Sequence, residues 1–310
     1  MSASKKALFA GEINVDLVLQ NYSAFPEPGR EVLVRDFAMV LGSATAIMAM
    51  GLARLGAGVA FVGAVGDDVW GRYCLEDMAG RGIDVSRVRR GGGLKTGVTV
   101  SISHPRDRAL VTYLGATTAL RGADVDAAAL AGMSHLHVSS FFFQEGLRPG
   151  LPDLFRRARA AGLTTSLDTG FDPSGTWDSG LRETLGETDV FFPNEVELRA
   201  ISGCSDPEQG LRALDGGRTR VVAKLGPLGA MALDAGQAVR VPAYAVEPVD
   251  TTGAGDSFNA GFLYRFMEGA PLAECLRLGA ACGALSTQGL GGTAAQPTLA
   301  EAEALVRSRA

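Results

Sequence analysis

Residues 250–262 read DTTGAGDSFNAGF, a stretch that gathers threonine, glycine and acidic side chains at one turn. Phe258, Phe262 and Phe266 recur every fourth residue and form one apolar stripe, so a helix runs through them and begins near Gly253. A strand-like run ends at residues 246–249, and Thr251 or Thr252 is placed to cap the helix. The first turn of a helix offers free N–H groups and a partial positive charge. Gly253, Ala254 and Gly255 leave those groups uncovered, which makes a phosphoryl group the natural guest.

Asp256 stands in that first turn, where a helix N-terminus favours its ionised form. A carboxylate repels a phosphate, but it can accept a proton from a hydroxyl that attacks phosphorus. In a loose phosphoryl-transfer transition state the hydroxyl loses its proton late, so a weak base suffices. Anion-holding N–H groups beside such a base point to a kinase. The same residues also admit a purely structural reading, with threonine as cap, glycine as turn and aspartate on the dipole. Short glycine motifs discriminate poorly between the two. The chain lacks GxxxxGK[ST], and its first strand is followed by GEINVDLV in place of GxGxxG, so neither a P-loop nor a dinucleotide fingerprint is present.

The rest of the chain bounds the answer. With 310 residues, 46% of them hydrophobic, it suits one large α/β domain or one domain with an appendage. The formal net charge is −5, with acids and bases mixed and no basic patch for nucleic acid. The four cysteines form no CxxC pair, against a zinc or redox site. No apolar run reaches membrane-spanning length, and the apolar stretch before Gly11 is too short for a signal-peptide core. A reducing cytoplasm is the expected location.

Short apolar runs at 7–10, 59–65, 136–139, 164–167, 190–192 and 221–225 read as strands. Helical spacing separates most of them, at 43–55, 70–79 and 151–161. This order predicts βαβ units and a mostly parallel sheet covered on both faces. Residues 16–41 and 94–115 break the order with alternating patterns, which predict antiparallel ribbons forming a small lid, with a proline turn at 24–31. Ligands of open parallel sheets bind beyond the carboxyl ends of the strands. Asn14, Asp16, Gly66, Asp67, Asp168, Asn194, Glu197, Lys224 and Gly226 all stand there. His135 and His137 share a strand face, but no acid or cysteine accompanies them, so core packing is expected over a metal pair.

The stretch DTTGAGDSFNAGFLY resembles the C-terminal signature of the ribokinase-like (PfkB) carbohydrate kinases. GEINVDLV, LGSATAIMAMGLARLG, GAVGDDVWG, PNEVE and VVAKLGPLGA resemble further parts of that family, in family order. The resemblance implies a three-layer α/β/α fold spanning residues 1–310, with the lid inserted. It implies an ATP- and magnesium-dependent kinase acting on a primary hydroxyl of a small sugar or sugar derivative. Asp256 is then the catalytic base, and Gly253, Ala254 and Gly255 the anion hole. Asn194 and Glu197 orient magnesium through its water shell, and Asn194, Lys224, Gly226 and Gly292 lie on the nucleotide side. Asp250 and Thr252 match positions that bind a monovalent cation such as potassium. Asp16, Asn14, Gly42 and Ser43 face the sugar. The lid implies a homodimer.

Two departures concern the sugar. The usual glycine pair is Leu41-Gly42, and the usual asparagine is Ala46, so one sugar hydrogen bond is absent or supplied elsewhere. Two other functions stay open: a nucleoside kinase, which requires an apolar or aromatic slot for the base, and a sugar-binding regulator without activity.

Overall fold

The computed structural model describes residues 6–20, 25–104 and 107–309. Residues 21–24 and 105–106, parts of the two expected lid segments, lie outside the described residues, and with them Ala24 of the proline turn. The chain opens with β1 (Lys6–Ala10), β2 (Asn14–Gln20) and β3 (Asp36–Leu41), then α1 (Ala44–Arg54), β4 (Gly58–Val65), α2 (Val69–Gly80) and β5 (Asp84–Arg90). A second pair of lid strands follows, β6 (Gly97–His104) and β7 (Asp107–Tyr113). The chain continues through α3 (Ala127–Leu130), β8 (His135–Val138), α4 (Leu151–Ala160), β9 (Thr164–Leu167), α5 (Leu181–Leu185) and β10 (Val190–Phe191). Then come α6 (Glu195–Ser202), α7 (Pro207–Leu214), β11 (Arg220–Lys224), β12 (Ala230–Asp234) and β13 (Gln237–Val241). Three helices close the chain: α8 (Ala254–Met267), α9 (Leu272–Ser286) and α10 (Leu299–Arg307).

Nine strands form the main sheet in the order β13-β12-β11-β10-β9-β8-β1-β4-β5. It is parallel from β5 to β11, and only β12 and β13 run antiparallel. Successive side chains of β1 show why its apolar run is unbroken. Leu8 and Ala10 enter the layer built with α3 to α7, whereas Ala7 and Phe9 enter the layer built with α1, α2 and α8. A strand buried on both faces has no polar side to alternate with. From β1 the chain first winds towards β4 and β5, then returns on the other side through β8 to β11. The strand order therefore reverses beside β1, and a crevice opens there at the carboxyl ends.

The second sheet has the order β3-β2-β6-β7. Its outer pairings are antiparallel as expected, but the central β2–β6 pairing is parallel, from Asn14 opposite Gly97 to Gln20 opposite Ser103. Two hairpin-like pairs are thus zipped side by side. Residues 246–249 are not a strand: the chain is irregular from Pro242 to the start of α8. Pro242 and Pro248 supply no N–H to a ladder. The β5 edge and the β12–β13 hairpin were not anticipated; in β5, DVSRVRR carries the charge that blunts a sheet edge.

Candidate active site

Helix α8 starts with Gly253 at its N-cap, at φ 72 in the left-handed region. No side chain caps it. The expected threonine cap is absent because Thr252 is drawn the other way: its N–H and hydroxyl donate to Asp250 Oδ1 at 2.9 and 2.7 Å. The first turn is therefore uncapped, as an anion site requires. Of the three expected donors, the Ala254 N–H points at Thr251 O, 3.3 Å away. Gly253 has no room for a side chain, since a Cβ there would lie 2.6 Å from Gly292 Cα. The expected anion-holding turn is thus pressed against the expected nucleotide loop. Asp250 Oδ2 fastens the same loop by accepting from the Gly291 N–H at 2.9 Å.

Lys224 ends β11 and reaches across to Asp168 at the end of β9. Its Nζ donates to Asp168 Oδ2 at 2.5 Å; Asp168 is buried and the Lys224 side chain is 13% exposed. Asn259, one turn along α8 from Asp256, donates its Nδ2 to the same oxygen at 2.7 Å. The ammonium also lies against the anion turn, 3.5 Å from where a Gly255 Cβ would stand. Burial works against the Lys224 charge, but Asp168 and then Glu197 hold its pKa above the ordinary value. Burial likewise opposes ionisation of Asp168, yet Lys224 brings its pKa below the usual range.

Asn194 and Glu197 form a capping box on α6. Asn194 accepts from the Glu197 N–H at 2.9 Å, while Glu197 accepts from the Asn194 N–H and Nδ2 at 2.8 and 2.7 Å. Glu197 is buried rather than a solvated acid, and burial, then the Asp168 charge, pushes it up to about 7. Asn194 bridges to Lys224 through the backbone, which joins the box to the ion pair. Asp256 feels burial first, then Asp168 and, further down, Glu12 and Glu197, and its pKa rises to about 8. The expected effect of the helix N-terminus, favouring the ionised form, is outweighed by these neighbours.

Above Asp256 opens a cavity of about 290 Å³, walled by Asn14, Asp16, Ser43, Thr252 and Gly253 and by lid residues such as Thr99 and Leu110. Asn14 Nδ2 donates to Asp16 Oδ1 and to Thr99 Oγ1, both at 3.1 Å, and so anchors the acid to the lid. Gly42 is required beside it: a Cβ there would come 2.1 Å from Asp16 Oδ1. Ala46 is buried in α1 and does not line the cavity. Glu12 and Ser140 do line it, and sequence reasoning missed both, along with Asn259 and the pairing of Asp168. The signals available were a strand-end acid at Asp168 and an acid two residues before Asn14. A separate hollow of about 460 Å³ opens at the opposite end of the sheet, among Asp189, Arg218 and Arg220, and holds none of these residues.

Gly226, at φ 55, sits in an exposed turn after β11, apart from the cluster but open to close approach. His135 and His137 are core residues. A chain of 2.7 Å hydrogen bonds runs from Thr164 through His135, Ser166 and His137 to Ser139. Burial holds both imidazoles neutral, that of His137 down to about 3. Among the described residues no three His, Cys, Asp or Glu side chains converge as a metal cage.

Residues 4–299 match the pfkB family carbohydrate kinases. The chain is 30% identical over 306 residues to an ATP-dependent ribose-1-phosphate kinase of Halopiger xanaduensis, covering 98% of this chain and 99% of that one. A fructokinase from Xylella fastidiosa, solved with bound ATP, superposes with a TM-score of 0.85 at 25% identity, covering 99% of each chain. A fructokinase double mutant from Vibrio cholerae O395, solved with fructose, ADP and potassium ion, superposes with a TM-score of 0.81 at 25% identity, covering 98% of each chain. The three-layer fold with its lid, the crevice beside β1 and the match along nearly the whole sequence agree: this chain belongs to the pfkB family of carbohydrate kinases.

Proposed function

We propose that this chain transfers the terminal phosphoryl group of ATP, with magnesium, to a primary hydroxyl of a small sugar or sugar derivative. One observation carries the reading: Asp256 stands in the uncapped first turn of α8, beside the Lys224 ammonium and on the floor of the cavity that holds Asp16. Asp16 and Asn14 grip sugar hydroxyls, and Gly42 and Ser43 let the sugar lie close. Asp256 accepts the proton of the attacking hydroxyl as the bond to phosphorus forms. The N–H groups of Gly253, Ala254 and Gly255, with Lys224, hold the charge on the transferring group. Gly226 and Gly292 border the nucleotide.

The donors near Lys224 are hard oxygens, from Glu197 and Asn194, and the buried Asn259 Oδ1 has no hydrogen-bond partner. With no cage of three ligands among the described residues, this set suits magnesium held mainly by water and phosphate. When bound, magnesium neutralises phosphate charge. Asp250 and Thr252 would hold a monovalent cation through side-chain and backbone oxygens.

We further propose one domain over 1–310 with lid segments near 16–41 and 94–115, paired lids in a homodimer, and a cytoplasmic location. All four cysteines are free thiols, and no helix among the described residues is long and apolar enough to cross a membrane.

A nucleoside kinase remains a second reading, because Phe143, Phe171 and Leu110 give the cavity an apolar wall that a base could face. ADP release over a panel of pentoses, hexoses, sugar acids and nucleosides tests both. Magnesium-dependent release with a sugar supports the first reading, release with nucleosides alone supports the second, and no release with any of them would leave a sugar-binding regulator.

A further inference from the structure

The hollow among Asp189, Arg218 and Arg220 lies at the amino ends of the strands, opposite the catalytic cavity. Three elements reach from one to the other. Strand β9 opens with Thr164 in the hollow wall and is followed by Asp168. Strand β11 opens with Arg220 in that wall and closes with Lys224. Helix α8 carries Asp256 in its first turn and brings Phe266, near its other end, into the same wall. At one end these elements meet in the cluster of Asp168, Lys224 and Asn259; at the other they frame about 460 Å³. His135 ties the hollow ends together. It bonds Thr164 Oγ1 at 2.7 Å, and its ring meets Phe266 edge-on with centroids 6.2 Å apart.

The wall chemistry suits one kind of guest. The Thr219 hydroxyl turns into the protein and donates to Leu185 O and Thr188 O at 2.6 and 3.0 Å. Arg218 and Arg220, on either side of it, line the hollow. Their acidic neighbours, Asp189 for Arg218 and Asp234 for Arg220, stand 3.7 and 3.9 Å away, too far for a hydrogen bond. Two guanidinium forks therefore keep donors to spare. The acids of the wall are engaged with the backbone: Asp189 Oδ2 accepts from the Thr165 N–H at 2.8 Å, and Asp215 Oδ1 from the Gly217 N–H at 3.0 Å. Leu211, Leu233 and Phe266 add apolar surface. Arginine forks match the oxygens of a phosphate, and the apolar side takes a carbon body.

We propose that this hollow binds a phosphate monoester, with its phosphate on Arg218 and Arg220, and that the bound monoester strengthens ATP binding at the other end of the sheet. A guest that fixes the near ends of β9, β11 and α8 restricts their far ends, so ATP has less freedom left to remove. The effect on ATP rests on the kinase reading above; binding in the hollow does not.

The test uses the full chain with inorganic phosphate, D-ribose 5-phosphate and AMP as probes. Calorimetry measures each probe against wild type and the double variant Arg218→Gln/Arg220→Gln, with and without the imido analogue of ATP and magnesium. Both side chains are half-exposed, so the variant should keep the wild-type Tm and basal ADP release. A monoester should bind wild type and bind the variant at least about tenfold more weakly, because hydrogen bonds between charged groups are lost. The ATP analogue should tighten monoester binding about fivefold, the monoester should tighten the analogue by the same factor, and the variant should show neither effect. Tighter binding of D-ribose 5-phosphate makes the guest a sugar phosphate, and tighter binding of AMP makes it a nucleotide. Inorganic phosphate binding as tightly as both would overturn the monoester. No binding of any probe, or equal binding in the variant, would overturn the site. Loss of binding in the variant with no change in analogue affinity would overturn the coupling. Binding and coupling as expected, without ADP release from any sugar, would sink the kinase reading alone.

Discussion

At the residue scale, the catalytic role proposed for Asp256 comes with a thermodynamic burden. Burial and the Asp168 charge raise its pKa from 3.8 to about 8, so the folded chain without ligands keeps a proton that the unfolded chain has already lost. Stability from this group is therefore fully present below the unfolded pKa and is lost as pH rises through about 8. Asparagine is isosteric and never ionises, so Asp256→Asn should have a higher Tm than wild type, with a gap that widens between about pH 4 and about pH 8 and then stays level. The same variant should lose about 10²–10⁴-fold in kcat while still binding ATP. In wild type the base must be ionised to act, so kcat/KM should climb with pH up to about 8. Melting curves and kinetics on one pair of proteins read all of this, and an intact kcat in Asp256→Asn would remove it from the mechanism. Asp16 carries a separate burden on the sugar side. Removing a charged acceptor costs roughly 1.5–3 kcal/mol, so Asp16→Ala should raise the sugar KM about ten- to hundredfold and leave the KM for ATP in place. Equal effects on both KM values would mean that the sugar binds elsewhere.

At the element scale, the capping box of α6 does two jobs. It satisfies the helix start, and it carries a buried carboxyl to the ion pair of Lys224 and Asp168. Glu197→Gln keeps an acceptor for the Asn194 N–H but removes the charge offered to a hydrated magnesium ion. The magnesium concentration for half-maximal rate should rise several-fold, with little change in sugar KM. Superimposable magnesium titrations would reduce Glu197 to its capping role. This element also shows where the sequence was legible. The parallel strands and α1, α2 and α4 could be read because strands buried on both faces give unbroken apolar runs, and helices flank them at regular spacing. The edge strands β13 and β5 could not, because they carry charge and a weak pattern. Residues 246–249 read as a strand only while the prolines around them were ignored. The anion turn and its base could be read because they are consecutive in the chain. The raised pKa of Asp256 could not, because Asp168, Glu197 and Glu12 converge on it from distant positions through strand order alone.

At the scale of the whole molecule, the lid has two different faces. Leu110 and Thr112 of β7 line the cavity, so Val111, which stands between them, points the other way. Val111 is 64% exposed, and Phe37 on β3 is 55% exposed as well. Apolar side chains gathered on a small sheet, with β3 and β7 as open edges, call for a cover. A second lid is the cover we propose, and it gives the dimer a catalytic consequence: a lid steadied by its partner loses less freedom when it closes over sugar. A charge set into an apolar interface is strongly disfavoured. Val111→Lys should therefore weaken the dimer at least about tenfold and raise the sugar KM, while the Tm of the isolated subunit stays close to wild type because Val111 is already exposed. Sedimentation equilibrium over a range of protein concentrations, with kinetics at each, measures both effects. A wild-type chain that sediments as a monomer, or a Val111→Lys dimer as tight as wild type, would remove the lid as the interface. A monomeric variant with an unchanged sugar KM would keep the interface but separate it from catalysis.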